Sequence, residues 1–288
     1  MGLGVLSAIR VQILARGARW KAAPTTVSGL PFAAKTKRLG LKLGPTSILK
    51  RKLQFQVESR LSKPSFPPFF NWRNNSGQNL VSSVKDQGDC GSCVAFACVA
   101  VLESQLMISR QGTHSLSEAF LFFCGQGDCE NGWDIEPALK FLEDPGVTDG
   151  GCLPYSAFRL ASPCSRCCRD WKSRLYKISG YREIATPDFA KAWISRYGPL
   201  VAAMDVYEDF LYYANGAYSH VYGANIGQHA IALVGYDDVS GYWICKNSWG
   251  TGWGEEGLFA LEFGQCNVCV QYPMWGVSRV VAPVGVGA

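Results

Sequence analysis

Ten consecutive residues, Cys93 to Leu102, are apolar, and the first charge after them is Glu103. A polar, glycine-containing turn ends at Ser92 just before them. A helix from Cys93 to Arg110, apolar on every side in its first half and therefore buried, is predicted. His114 to Glu118 supplies cap-type residues ahead of a second helix over Ala119 to Cys124, and Ile135 to Leu142 reads as a third. Up to about Leu160 the pattern is helix and loop. From Leu175 onward strand patterns appear. His229 to Tyr236 is a nearly continuous buried strand, and Tyr242 to Lys246 and Gly257 to Phe263 are two more. A helical half followed by a β half predicts an α+β fold.

The first 67 residues differ in kind. Residues 1–68 carry thirteen Lys/Arg and one acid, Glu58, a net +12, whereas the remainder is −7. The overall +5 therefore describes a basic leader joined to an acidic domain. Pro24, Pro31, Pro45, Pro64 and Pro67 break up any long helix there, and Pro64 to Pro68 forms an extended, cleavable linker. The expected boundaries are a leader over 1–67, a mostly helical lobe over 68–185, a β-rich lobe over 186–275 and a frayed tail over 276–288. Basic residues in the leader are scattered without an aromatic platform, which argues against nucleic-acid binding. No apolar run reaches the roughly 18–20 residues of a membrane span. The acid-poor start leaves a secretory signal, an organelle transit peptide and a propeptide all open.

Cys93 heads a predicted helix, where unpaired N–H groups and the positive dipole end favour a thiolate. Taken alone, Cys90-x-x-Cys93 reads more readily as a disulfide or half of a zinc site than as the seat of a nucleophile. Twelve cysteines favour an oxidising compartment, secreted or lysosome/vacuole-like, with an organelle-targeted alternative. None of the three Cys-x-x-Cys pairs has finger-like partners, so no metal is expected. Gln87 lies six residues before Cys93, Gly227-Gln-His229-Ala follows 136 residues after it, and Lys246-Asn247-Ser-Trp249-Gly-Thr-Gly-Trp253 begins one residue before Asn247, itself 154 after. Only three histidines are present, and no Gly-x-Ser-x-Gly elbow supports a serine triad.

These blocks, over roughly residues 68 to 273, resemble the papain family of cathepsin-like cysteine peptidases. The resemblance implies a two-lobe fold with the active-site cleft between a helical and a β-barrel-like lobe, and an enzyme made as a zymogen and needing no cofactor. It assigns Cys93 as nucleophile, His229 as acid and base, Asn247 as the group orienting His229, and Gln87 with the Cys93 N–H as oxyanion donors. The depressed thiol pKa of such a pair is a family property, not read from this chain. Trp249 would shield the His–Asn bond. Gly132 would pair with substrate backbone, Trp133 would wall the S2 pocket, and Met274, counted from Cys269, would floor it, which favours a bulky apolar P2 residue. Implied disulfides are Cys90–Cys129 and Cys124 to Cys164, Cys167 or Cys168, with Cys164 preferred, while Cys266 and Cys269 pair elsewhere or stay free. The expected partners are peptide substrates and the chain's own N-terminal segment as inhibitor, in a monomer. Departures from the family pattern are Val94 after the nucleophile, Asn131 before Gly132 and Gln228 before His229. Pro163 to Arg169 contains no histidine to hold a substrate's terminal carboxylate, which argues against exopeptidase action. The alternative reading is a catalytically silent homologue acting as a binding or scaffold protein.

Overall fold

The computed structural model describes residues 2–283. The leader contains α1 (Gly2–Arg16), β1 (Trp20–Ala22), α2 (Phe32–Thr36) and α3 (Pro45–Glu58). Its prolines bound helices as much as they prevent them. Pro31 precedes α2, and Pro45 occupies the first turn of α3, where a missing N–H costs nothing. The linker then leads into β2 (Phe69–Asn71). Next come α4 (Cys93–Ile108), one π-helical turn at Phe120–Cys124, and α5 (Ile135–Glu143). The remaining elements are β3 (Lys177–Ile178), β4 (Tyr181–Ile184), α6 (Pro187–Arg196), β5 (Leu200–Tyr207), β6 (Tyr213–Tyr218), β7 (Asn225–Asp237), β8 (Tyr242–Lys246), β9 (Leu258–Glu262), β10 (Met274–Val277) and β11 (Val280–Val281).

Among the described residues, nine strands share one sheet in the order β1-β6-β9-β8-β7-β5-β10-β4, with β2 pairing β7 from the side. The fold is α+β, two-lobed and papain-like. Helix α4 is buried from Cys93 to Leu106 and packs on β7, β5 and β10, so the two halves of the sequence meet along it. That explains an apolar surface on all sides: every face of the helix has a neighbour. The expected lobe boundary near residue 185 falls between β4 and α6, so β4, from the predominantly helical half, lies at the end of the large sheet. The C-terminal stretch differs from the expected frayed tail. Val277 ends β10 and Val280 pairs with Ile178 in β11, because both valines find buried seats. Residues 284–288 of that predicted tail lie outside the described residues.

Candidate active site

Cys93 is the first residue of α4 and is completely buried. His229 comes from the central strand β7, opposite Met204 of β5, and its Nε2 lies 2.8 Å from Asn247 Oδ1. Asn247 follows β8 directly, and its own N–H donates to the Gly257 carbonyl at 2.9 Å, so the residue is held by backbone on a rigid element. Trp249 is buried, with its ring centroid 5.0 Å from that of His229, and it packs in turn on Trp253 and Phe210. His229 Nδ1 is buried without a hydrogen-bond partner. A ring fixed at Nε2 suits proton exchange at Nδ1.

Gln87 is fixed as tightly. Its N–H donates to Ser248 O at 2.9 Å, and its side-chain oxygen accepts from Ser248 Oγ at 2.6 Å. This orients the amide and leaves Nε2 to donate to Cys90 O at 2.8 Å and to Arg38 O at 3.1 Å. Tyr155 OH donates to the Gln87 carbonyl at 2.8 Å and lies 2.5 Å from Ser92 Oγ, tying the turn to the residue before Cys93.

The Arg38 carbonyl belongs to the leader, which runs across these residues as main chain. Trp133 N–H donates to Gly40 O at 2.8 Å, Lys42 N–H donates to Trp133 O at 3.0 Å, and Leu41 N–H donates to Gln228 O at 3.3 Å. Gly40 is wedged between two other glycines. A Cβ on Gly40 would lie 1.9 Å from Gly91 O, and one on Gly132, whose φ is +72°, would lie 1.8 Å from Gly40 O. Three glycines in register let two backbones approach where no side chain fits. Ion pairs flank the crossing: Arg38 with Asp86 at 2.7 Å, Lys37 with Glu130 at 2.5 Å and Lys50 with Glu136 at 2.5 Å. Burial beneath the leader changes the electrostatics. It pushes the Cys93 thiol up to about 11 and the His229 imidazole down to about 4, against an opposing Asn247 hydrogen bond. Both shifts favour the uncharged thiol and imidazole in the covered site, where desolvation outweighs the helix terminus.

Residues 66–274 match the model of the papain family cysteine proteases. This chain belongs to that family. The protease is 35% identical to cathepsin B-like CP3 of Giardia intestinalis over 259 residues, covering 84% of each chain. It is 33% identical to a gut-specific cysteine proteinase of Caenorhabditis elegans over 245 residues, 74% of each. Its fold is similar to that of procathepsin B S9 from Trypanosoma congolense, with a TM-score of 0.76, 23% identity, and 94% and 97% of the two chains covered. Digestive procathepsin L2 from Tenebrio molitor gives the same TM-score at 24% identity, with 96% and 89% covered.

In the protease, disulfides join Cys90 to Cys129, Cys124 to Cys164, and Cys152 to Cys168. Bridges of this kind fit an oxidising compartment. The last one was not read from the sequence, which offered no way to choose among neighbouring cysteines. Cys266 and Cys269 are free and buried. The Cys167 sulfur lies within 4.8 Å of the Cys124 and Cys164 sulfurs, two of which are consumed by their own bond. No helix among the described residues is long and apolar enough to cross a membrane. Trp133 packs its indole against Phe122 and over Gly125. Met274 is fully enclosed in β10, opposite Ile184 and Ala202. Tyr272, two residues earlier, sits beside the cleft instead: its hydroxyl accepts from Gln228 Nε2 at 2.6 Å and donates to Asp205 at 2.8 Å. Sequence reasoning missed Tyr272 and the leader residues Arg38, Gly40 and Leu41. The one available signal was a glycine among basic residues.

Proposed function

We propose that the protease is an endopeptidase synthesised in an autoinhibited form, with residues 1–67 as the inhibitor. Cys93 is the nucleophile, His229 exchanges the proton at Nδ1, Asn247 holds the imidazole, and Gln87 Nε2 with the Cys93 N–H receives the oxyanion. The thiolate attacks the scissile carbonyl, His229 protonates the leaving amine, and water then releases the acyl group from sulfur. Trp249 keeps water from the His–Asn bond. The observation that carries this reading is a peptide carbonyl, Arg38 O, already bonded to Gln87 Nε2 at 3.1 Å. A site that accepts one main-chain carbonyl from its own leader is built to accept another from a substrate.

The same crossing bears on specificity. The Leu41 side chain is buried where its main chain crosses between those of Trp133 and Gln228, which supports a bulky apolar side chain in the cleft, worth about 1.5–3 kcal/mol on burial. Gly132 and Trp133 supply the backbone edge, and Tyr272 takes the role expected of Met274. An apolar P2 residue is the resulting preference, in a monomer working in a secreted or lysosome-like compartment. Leader removal between about Ser59 and Pro68 would free the cleft. Labelling with an epoxide thiol inhibitor, before and after processing mapped by N-terminal sequencing, tests the reading. Labelling of Cys93 should be confined to the processed form, and equal labelling and peptide hydrolysis in both forms would overturn the inhibitory role. Absence of labelling in either form would instead favour a silent homologue.

A further inference from the structure

Glu58 is the sole acid in the first 68 residues, and it is almost wholly buried. It is also the last residue of α3, the end of a helix where a carboxylate meets the negative dipole. Within its own helix only an i,i+4 bond from Gln54 favours it there. Its partners lie on the enzyme, at the head of α6. The carboxylate accepts from Ala185 N–H at 3.2 Å, Thr186 N–H at 2.9 Å and Thr186 Oγ1 at 2.8 Å, and Gln54 of its own helix adds a bond at 2.9 Å. Thr186 precedes α6 without capping it, its hydroxyl being turned to Glu58. We propose that Ala185 and Thr186 form a carboxylate-binding site on the enzyme, distinct from the cleft, whose ligand is Glu58 of the leader.

The surroundings select this occupant over a free acid. Glu136 and Glu183 lie on the same face of the enzyme and would repel an anion arriving alone. Helix α3 brings Lys50 and Arg51 as countercharge when it docks. Lys50 pairs with Glu136 at 2.5 Å, and Arg51 donates to Ala185 O at 3.3 Å and Cys269 O at 3.2 Å. Arg51 and Glu58 are seven residues apart, two helical turns, and so fall on one face of α3. The site therefore reads an acid two turns after a basic pair, a pattern that the leader carries. Because α3 follows the cleft crossing, this contact holds the leader on the side next to the cleavable linker. It rests on the reading of the leader as inhibitor and adds a second, side-chain-specific hold to the main-chain contact in the cleft.

Synthetic peptides of residues 37–60, added to natively processed enzyme in a fluorogenic assay, test it. The wild-type peptide should inhibit. Glu58→Gln should raise the inhibition constant about 10-fold and Glu58→Ala further, since charged hydrogen bonds contribute about 1.5–3 kcal/mol each and 1.4 kcal/mol is tenfold. Alanine is also the better helix former, so weaker inhibition cannot come from lost helicity. On an enzyme carrying Thr186→Val, the wild-type peptide should weaken while the Glu58→Ala peptide changes little. Equal inhibition by all three peptides would refute the site and leave the autoinhibition reading standing. Failure of the wild-type peptide to inhibit at all would overturn both.

Discussion

Replacing Gly40 by alanine adds a single methyl group to the leader, yet it should open the closed form. The new carbon would lie 1.9 Å from Gly91 O and 2.3 Å from its carbonyl carbon, both backbone atoms that cannot swing aside. Ordinary contact begins about 1.5 Å further out, so the leader must lift. Lifting breaks the bonds from Trp133 N–H to Gly40 O, from Lys42 N–H to Trp133 O and from Gln87 Nε2 to Arg38 O. At a net 0.5–1.5 kcal/mol each, losing all three weakens closure by about 1.5–4.5 kcal/mol. The open population should then rise roughly 10- to 2000-fold. The assay is initial-rate hydrolysis of a fluorogenic peptide by full-length protein, with intact mass measured alongside to exclude processed chains. A Gly40→Ala protein within threefold of the wild-type rate would show that the glycine stack does not govern access to Cys93.

Cys93→Ala should abolish hydrolysis with the circular dichroism spectrum unchanged, whereas Asn247→Ala should retain partial activity, since it orients His229 without making bonds. Acid should favour opening. His229 falls from 6.5 to about 4 when covered, so the open form binds more protons between those values and closure weakens as pH drops through that window, by about 3 kcal/mol at its lower end. High pH disfavours closure as well, because the covered thiol is raised to about 11 and the exposed thiol ionises first. Limited proteolysis of full-length Cys93→Ala protein isolates the acid limb and should show the leader more susceptible at pH 4.5 than at 7.5, and no difference would contradict it. Cys152→Ser with Cys168→Ser, which opens a loop 16 residues long, should lower stability by about 3 kcal/mol, measured by urea denaturation.

The proposed catalytic residues were legible as candidates because chemistry fixes their neighbours in sequence: Cys93 at a polar-to-apolar switch, His229 within an apolar strand, Asn247 beside Trp249. The strands over 229–236, 242–246 and 257–263 were legible for a similar reason, as short apolar stretches with clear ends. Counting from Cys269 to residue 274 is a poor guide to position, because the chain coils before it. Cys266, Asn267 and Cys269 all have positive φ, and Asn267 bonds Asp205, so distance along the sequence no longer measures distance along a strand. The leader was opaque for a different reason. Helices α1 and α3 expose much of their surface and lean on the enzyme for their remaining contacts, and no local pattern records a partner more than a hundred residues away.

Strand β1 belongs to the leader and is also the outermost strand of the nine-stranded sheet, with Trp20 opposite Gly216 of β6. Its indole is buried against Tyr213 and Tyr218. Departure of the leader would therefore do more than clear a cleft. It would strip one strand from the sheet, leave the β6 N–H and C=O groups that face β1 without partners and uncover an aromatic seat beside them. Such an edge is a template for pairing with any extended chain, so the processed molecule would be stickier than its precursor as well as more reactive. If the leader is removed as proposed, it is also a removable piece of the sheet that keeps this edge closed until then.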